Sequence, residues 1–145
     1  LFELNSDQLE PEGRQLLKSL VQPLRSYLQS RDDMLMVSGF TDDKAVGSRN
    51  RQFQDNWELS AQRALTVTRT LIEEGMPPGL LFAAAFGEQQ ALVPNTDDKA
   101  RAQNRRVEIA PVPKARNAAP DKPANPKPNT NPGNKPATQP ATQPA

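Results

Sequence analysis

Ten of the fifteen prolines in this chain fall between Pro111 and Pro144, in a stretch that holds no Leu, Ile, Met, Phe, Tyr or Trp. Such a segment cannot bury enough apolar surface to offset the entropy of ordering it. Residues 111–145 are therefore expected to be disordered, with the repeating Pro-Ala-Thr-Gln end reading as a flexible or polyproline-like extension. What can fold is residues 1–110, room for one domain.

The total charge of +1 hides an asymmetry. Lys114, Arg116, Lys122, Lys127 and Lys135 against Asp121 make the tail +4, which leaves −3 on the folding part. A domain of that sign lacks the clustered Lys and Arg that phosphate backbones require, so nucleic acid is not an expected partner. The chain contains no histidine and no cysteine. That removes Ser-His and Cys-His nucleophiles, His-ligated zinc and any disulfide framework. Binding is easier to build from what remains than catalysis. No run of eighteen apolar residues occurs and the chain opens at Leu1, so it reads as part of a longer or processed protein, and any membrane anchor would lie upstream.

Within residues 1–110 the hydrophobic pattern alternates between two periods. Leu1, Phe2 and Leu4 suit a short strand. Leu16, Leu17, Leu20, Val21, Leu24, Tyr27 and Leu28 recur at steps of three and four, which predicts a helix opened by Pro11 and kinked or split near Leu20 by Pro23. Met34–Val37 reads as a buried strand closed by Ser38-Gly39, and residues 43–56 as a long polar loop. A second helix follows, with Ser60 as its expected N-cap and Gly75 as its stop. Leu80–Phe86 reads as a strand, Pro94–Asp97 as a turn capping a short helix, and Arg106–Ile109 as a final strand. The order β-α-β-α-β-(short α)-β predicts a two-layer α/β sandwich, with the helices on one face of a mixed sheet.

Asp42 then falls just past a strand end, and Arg63 at the third helical position beside free backbone N–H groups. An acid and a forked guanidinium facing one opening can take the ammonium and the carboxylate of a zwitterion such as an amino-acid terminus. From spacing alone the favoured reading is that the two pair with each other or lie solvated at the surface, where such pairs are common and contribute little. Asp42 and Asp43 do not make an acid/base pair for glycoside hydrolysis, since adjacent strand residues point to opposite faces. By the same rule only one of Arg105 and Arg106 can face the cleft, and Arg105 is expected there, with Asn104 fixing the turn before it. Trp57 and Leu59 read as core residues.

Gly39-Phe40-Thr41-Asp42, Asn56-x-x-Leu59-Ser60-x-x-Arg63-Ala64, Gly87-Glu88 and Asn104-Arg105-Arg106-Val107-Glu108-Ile109 resemble, in order, the signature of the OmpA-like C-terminal domain, a peptidoglycan-binding module of bacterial envelopes. The words around Asn56-Trp57-Glu58-Leu59-Ser60-Ala61, with the long loop before them, look most like the MotB branch, stator proteins that anchor the flagellar motor to the cell wall. The resemblance implies that Asp42 and Arg63 grip the diaminopimelate end of a peptidoglycan stem peptide, with Thr41, Asn56, Leu59 and Arg105 around them. It also implies a non-enzymatic domain without cofactor or metal. Its place would be the periplasm of a Gram-negative bacterium, attached through upstream sequence to the inner or outer membrane, with peptidoglycan and a second copy of the chain as partners. The family usually carries histidine where Phe40 stands. An alternative is therefore an envelope assembly module of the same fold that binds proteins and has lost the wall.

Overall fold

A computed structural model describes residues 1–2, 6–46 and 52–114. Its elements, among the described residues, are α1 (Pro11–Arg31), β1 (Asp33–Phe40), α2 (Asn56–Glu73), a single 3₁₀ turn at Pro78–Leu80, β2 (Leu81–Ala85), α3 (Asp98–Asn104) and β3 (Arg106–Pro113). The three strands form one mixed sheet in the order β2-β1-β3. β1 pairs in parallel with β2, from Leu35 against Leu81 to Gly39 against Ala85. It pairs antiparallel with β3, from Asp33 against Pro113 to Phe40 against Arg106.

The alternation of β1 decides the layers. Leu35 and Val37 are fully buried, in one cluster with Leu17, Val21 and Leu28 of α1 and Ala64, Val67 and Leu71 of α2. Val107 and Ile109 of β3 pack against the same cluster, so the long helices cover the face that these odd-numbered residues share. Ser38 and Phe40 point to the other face and are nevertheless buried. The Ser38 hydroxyl has no hydrogen-bond partner among the described residues.

α1 runs unbroken through Pro23, where the pattern predicted a kink or split. The imide removes only the bond to the Ser19 carbonyl, on an exposed side, while buried Leu17, Val21 and Leu28 hold the helix on both sides of it. Leu16 and Tyr27, assigned to the apolar face, are exposed. Replacing Pro23 with alanine should raise unfolding stability by about 2 kcal/mol. The restored helix geometry outweighs the extra freedom alanine gives the unfolded chain, and a denaturant titration measures the difference.

Three other expectations change. Phe2 makes only an isolated bridge to Leu9 instead of a strand, and Leu4 lies outside the described residues. β3 continues to Pro113, so ordered structure passes the expected boundary at residue 110. Edge position explains how Pro111 and Pro113 are tolerated, because a strand with one free side can dispense with donors there. The expected disorder of residues 115–145 falls outside the described residues.

α2 starts at Asn56, capped by Asp55, and not at Ser60. Asp55 Oδ1 accepts from the Glu58 N–H at 2.8 Å and Glu58 Oε2 accepts from the Gln54 N–H at 3.1 Å, which anchors the first turn from both sides. Ser60 has another task inside the helix. Its hydroxyl donates to the Trp57 carbonyl at 2.9 Å and accepts from the Gly87 N–H at 3.0 Å, tying α2 to the segment that follows β2.

Candidate functional site

The parallel strands β1 and β2 end on the same side of the sheet, where antiparallel β3 begins, so the segments after β1 and β2 and before β3 converge there. The Thr41 N–H donates to the Gly87 carbonyl at 2.8 Å and the Phe86 N–H to the Gly39 carbonyl at 3.0 Å, extending the β1–β2 pairing past both strand ends. Asp42 is the first residue beyond this ladder. In α/β sheets the crevice outside the carboxyl ends of strands is where ligands sit.

Gly39 sets how closely α2 approaches. A Cβ at this position would overlap the Ser60 carbonyl oxygen, so only glycine lets the helix backbone lie against β1 here. Arg63, one turn beyond Ser60, is thereby brought near Asp42, three residues beyond Gly39. Arg63 stands eighth in α2 and not third, and the dipole at the helix start does not act on it. It is buried, with 3% of its surface exposed.

Asp42 does not pair with Arg63. Its Oδ2 accepts from Arg105 Nη1 at 2.7 Å and its Oδ1 from the Lys44 N–H at 3.0 Å, leaving a carboxylate with lone pairs to spare. Arg63 donates its Nε–H to the Ser6 carbonyl at 3.0 Å and lies over the Phe2 ring, 5.4 Å from its centroid. Its terminal N–H groups have no hydrogen-bond partner among the described residues. Burial pushes the Arg63 guanidinium below its ordinary range, the charge of Arg105 adds to this, and Asp42 and Asp7 oppose it. Arg63 and Arg105 line one cavity of about 270 Å³ with Leu1, Phe2, Ala102, Arg106 and Val107. Two guanidiniums thus meet beside the Asp42 carboxylate, and the terminal donors that Arg63 leaves unspent favour a ligand that brings a carboxylate.

The neighbours fall into place around them. Thr41 is buried and donates its hydroxyl to the Asp42 carbonyl at 2.9 Å. Asn56 Nδ2 donates to the Lys44 carbonyl at 3.0 Å and the Asp42 carbonyl at 3.4 Å, clamping the loop to the helix start. Leu59 is buried, and its part is packing. Asn104 is fully buried: its Oδ1 accepts from the Leu92 and Val93 N–H groups and its Nδ2 donates to the Val93 carbonyl and to Asn95 Oδ1. That network fixes the end of α3 and hence the root of Arg105.

Arg106 borders the same cavity but sends its guanidinium the other way, onto the face opposite the helices. Its guanidinium sits 3.9 Å from the centroid of the Phe40 ring, whose far side stacks on Phe86 at 4.9 Å and 4° between planes. Arg106 also donates to Glu108 Oε1 at 2.7 Å and to the Gln90 carbonyl at 3.0 Å. The stack joins the residue before Thr41-Asp42 to the residue before Gly87 and so steadies the site from beneath. Phe40→Leu keeps the apolar bulk but loses both ring contacts, and should cost about 1 to 2 kcal/mol of stability in chemical unfolding.

Residues 1–105 match the sequence model of the OmpA family. The chain belongs to the OmpA family. This OmpA-family domain is 35% identical over 118 residues to outer membrane protein A of Klebsiella pneumoniae, covering 75% of this chain and 32% of that protein. It is 31% identical over 108 residues to the peptidoglycan-associated lipoprotein of Pseudomonas putida, covering 74% of this chain and 59% of that one. Its fold superposes on the periplasmic domain of Helicobacter pylori MotB with a TM-score of 0.70 at 29% identity, over 82% of this chain and 74% of that chain. The first curated relatives are longer than this chain, which spans 25% to 51% of their length.

The contacts of Arg63 with Ser6 and Phe2 have no signal in the sequence, because they join residues more than fifty positions apart. The true start of α2 had one: Asp55-x-x-Glu58 is a capping pattern.

Proposed function

We propose that this domain is a non-catalytic wall anchor that binds the diaminopimelate end of a peptidoglycan stem peptide. The carrying observation is Arg63, buried, charged and with its terminal N–H groups unspent, at a cavity that it shares with the Arg105 partner of Asp42. A carbon bearing both an ammonium and a carboxylate suits this arrangement. The carboxylate takes the forked donors of Arg63, with Arg105 beside them, and the ammonium takes the free lone pairs of Asp42. Family membership with outer membrane protein A and with a protein named for its association with peptidoglycan supports the same ligand.

The domain serves a larger envelope protein in the periplasm of a Gram-negative bacterium, attached to a membrane through sequence outside this chain. The likeness to MotB supports a stator role, and a second copy of the chain is proposed as a partner. The alternative assembly reading gains nothing from Phe40, which is buried in its stack and offers no surface to a partner.

Calorimetric titration with matched stem peptides tests the ligand. A peptide ending in diaminopimelate should bind at least about tenfold more tightly than one with lysine in its place, because lysine supplies the ammonium and leaves Arg63 without its carboxylate. Equal affinities would remove the assignment of Arg63.

A further inference from the structure

α3 is seven residues long, and Asn104 is its only buried residue. A helix that short is marginal on its own, and α3 contributes no side chain to the apolar cluster that holds α1 and α2. Its far end is fixed by the Asn104 network. Among the described residues, the hydrogen bonds that its first turns make to the rest of the domain are ion pairs.

Arg101 donates its Nε–H to Asp43 Oδ1 at 3.1 Å and Nη1 to Asp98 Oδ1 at 3.4 Å, and Lys44 Nζ donates to the same Asp98 oxygen at 3.3 Å. Asp43 and Lys44 are the two residues after Asp42, so the loop that carries Asp42 is tied to the helix from which Arg105 emerges. Solvent reaches these groups, with 23% of the Arg101 side chain and 87% of the Asp98 side chain exposed. Pairs of this kind add little to folding stability and are screened by salt. What they set here is position. The Asp42–Arg105 contact at 2.7 Å lies between the two segments so joined. Asn56 clamps the loop from the α2 side, which leaves Arg101, with Lys44 beside it, as the tie from the α3 side.

We propose that Arg101 is a positioning residue for the site: by holding Asp43 and Asp98 in one fork it keeps the Asp42 loop against α3, and so sets the Asp42–Arg105 pair that a ligand meets. Binding then carries a salt dependence that originates outside the cavity, in an exposed network that touches no ligand. The effect on stem-peptide affinity rests on the wall-anchor reading, and the effect on the Asp42–Arg105 pair does not.

Arg101→Gln in the full chain tests this with two readouts. The first needs no ligand: the Arg105 guanidinium signal in nitrogen-resolved NMR spectra, assigned by its loss in Arg105→Lys, should be distinct in the wild type and averaged by exchange in the variant. The second is calorimetric titration with a stem peptide ending in diaminopimelate. Its affinity should fall about three- to tenfold at low salt, with the unfolding midpoint unmoved. Wild type and variant should converge in about 1 M NaCl, where the screening length is about 3 Å. Asp43→Asn should act in the same direction, and the double variant should lose less than the product of the two single losses, because the shared contact is lost only once. An Arg105 signal that Arg101→Gln leaves unchanged overturns the assignment, whatever the peptide does. Lost affinity that persists in full at high salt, or that comes with a lowered unfolding midpoint, overturns it too, since Arg101 would then hold the fold and not the pair. Failure of the wild-type chain to bind stem peptide, with the Arg105 signal averaged in Arg101→Gln, would instead discard the wall-anchor reading and keep the positioning role.

Discussion

Replacing Arg63 with alanine is expected to abolish stem-peptide binding, raising Kd by on the order of 30-fold or more, the cost of truncating one partner of a buried charge-assisted contact. The effect on folding should be far smaller. Alanine leaves the Ser6 carbonyl without its donor and strips the Phe2 ring of its cation. It also relieves the desolvation of the guanidinium and its repulsion by Arg105, which opposes those losses. Arg63→Lys tests the geometry separately. Lysine keeps the charge but not the planar fork, so it should recover only a small part of the affinity. A variant that bound as weakly as Arg63→Ala yet also unfolded early would point to structure in place of recognition, so unfolding midpoints belong beside the titrations.

Gly39→Ala is expected to be the most damaging small substitution, lowering stability by about 3 kcal/mol, at the upper end of the overpacking range. The new methyl would meet the Ser60 carbonyl, a backbone atom, and no side chain can rotate away to make room. β1 is held on both edges by β2 and β3, so α2 must move. That displacement carries Ser60 away from the Gly87 N–H and Arg63 away from Asp42, so binding should fall with stability. Denaturant unfolding of Gly39→Ala at the wild-type midpoint would contradict this account of how helix and strand meet.

Much of the fold could be read from local pattern, and the failures have a common cause. The β1 run and the position of Asp42 past its end follow from a short apolar stretch closed by small residues, and α3 follows from its Asp97 cap. Local pattern places the start of α2 too late because Ser60 looks like a cap, and its real partners, Trp57 and Gly87, are chosen by tertiary packing. Pro23 looked like a break because pattern reading cannot see that its lost bond faces solvent. Asp42 and Arg63 were picked out by type and motif, yet their contacts are long-range. Asp42 finds Arg105, sixty-three positions away, and Arg63 finds Ser6, fifty-seven away. Phe40 read as a departure from the family, and only the structure shows it between Phe86 and Arg106. Trp57, assigned to the core, is half exposed, because Gly87 gives it a surface to lie on without enclosing it.

Co-sedimentation with purified sacculi whose stem peptides carry diaminopimelate tests the central claim most directly. The wild-type chain should pellet with the sacculi, and Asp42→Ala and Arg63→Ala, each folded by its unfolding curve, should both stay in the supernatant. Pelleting of both variants to the wild-type extent would contradict the claim that Asp42 and Arg63 hold the wall.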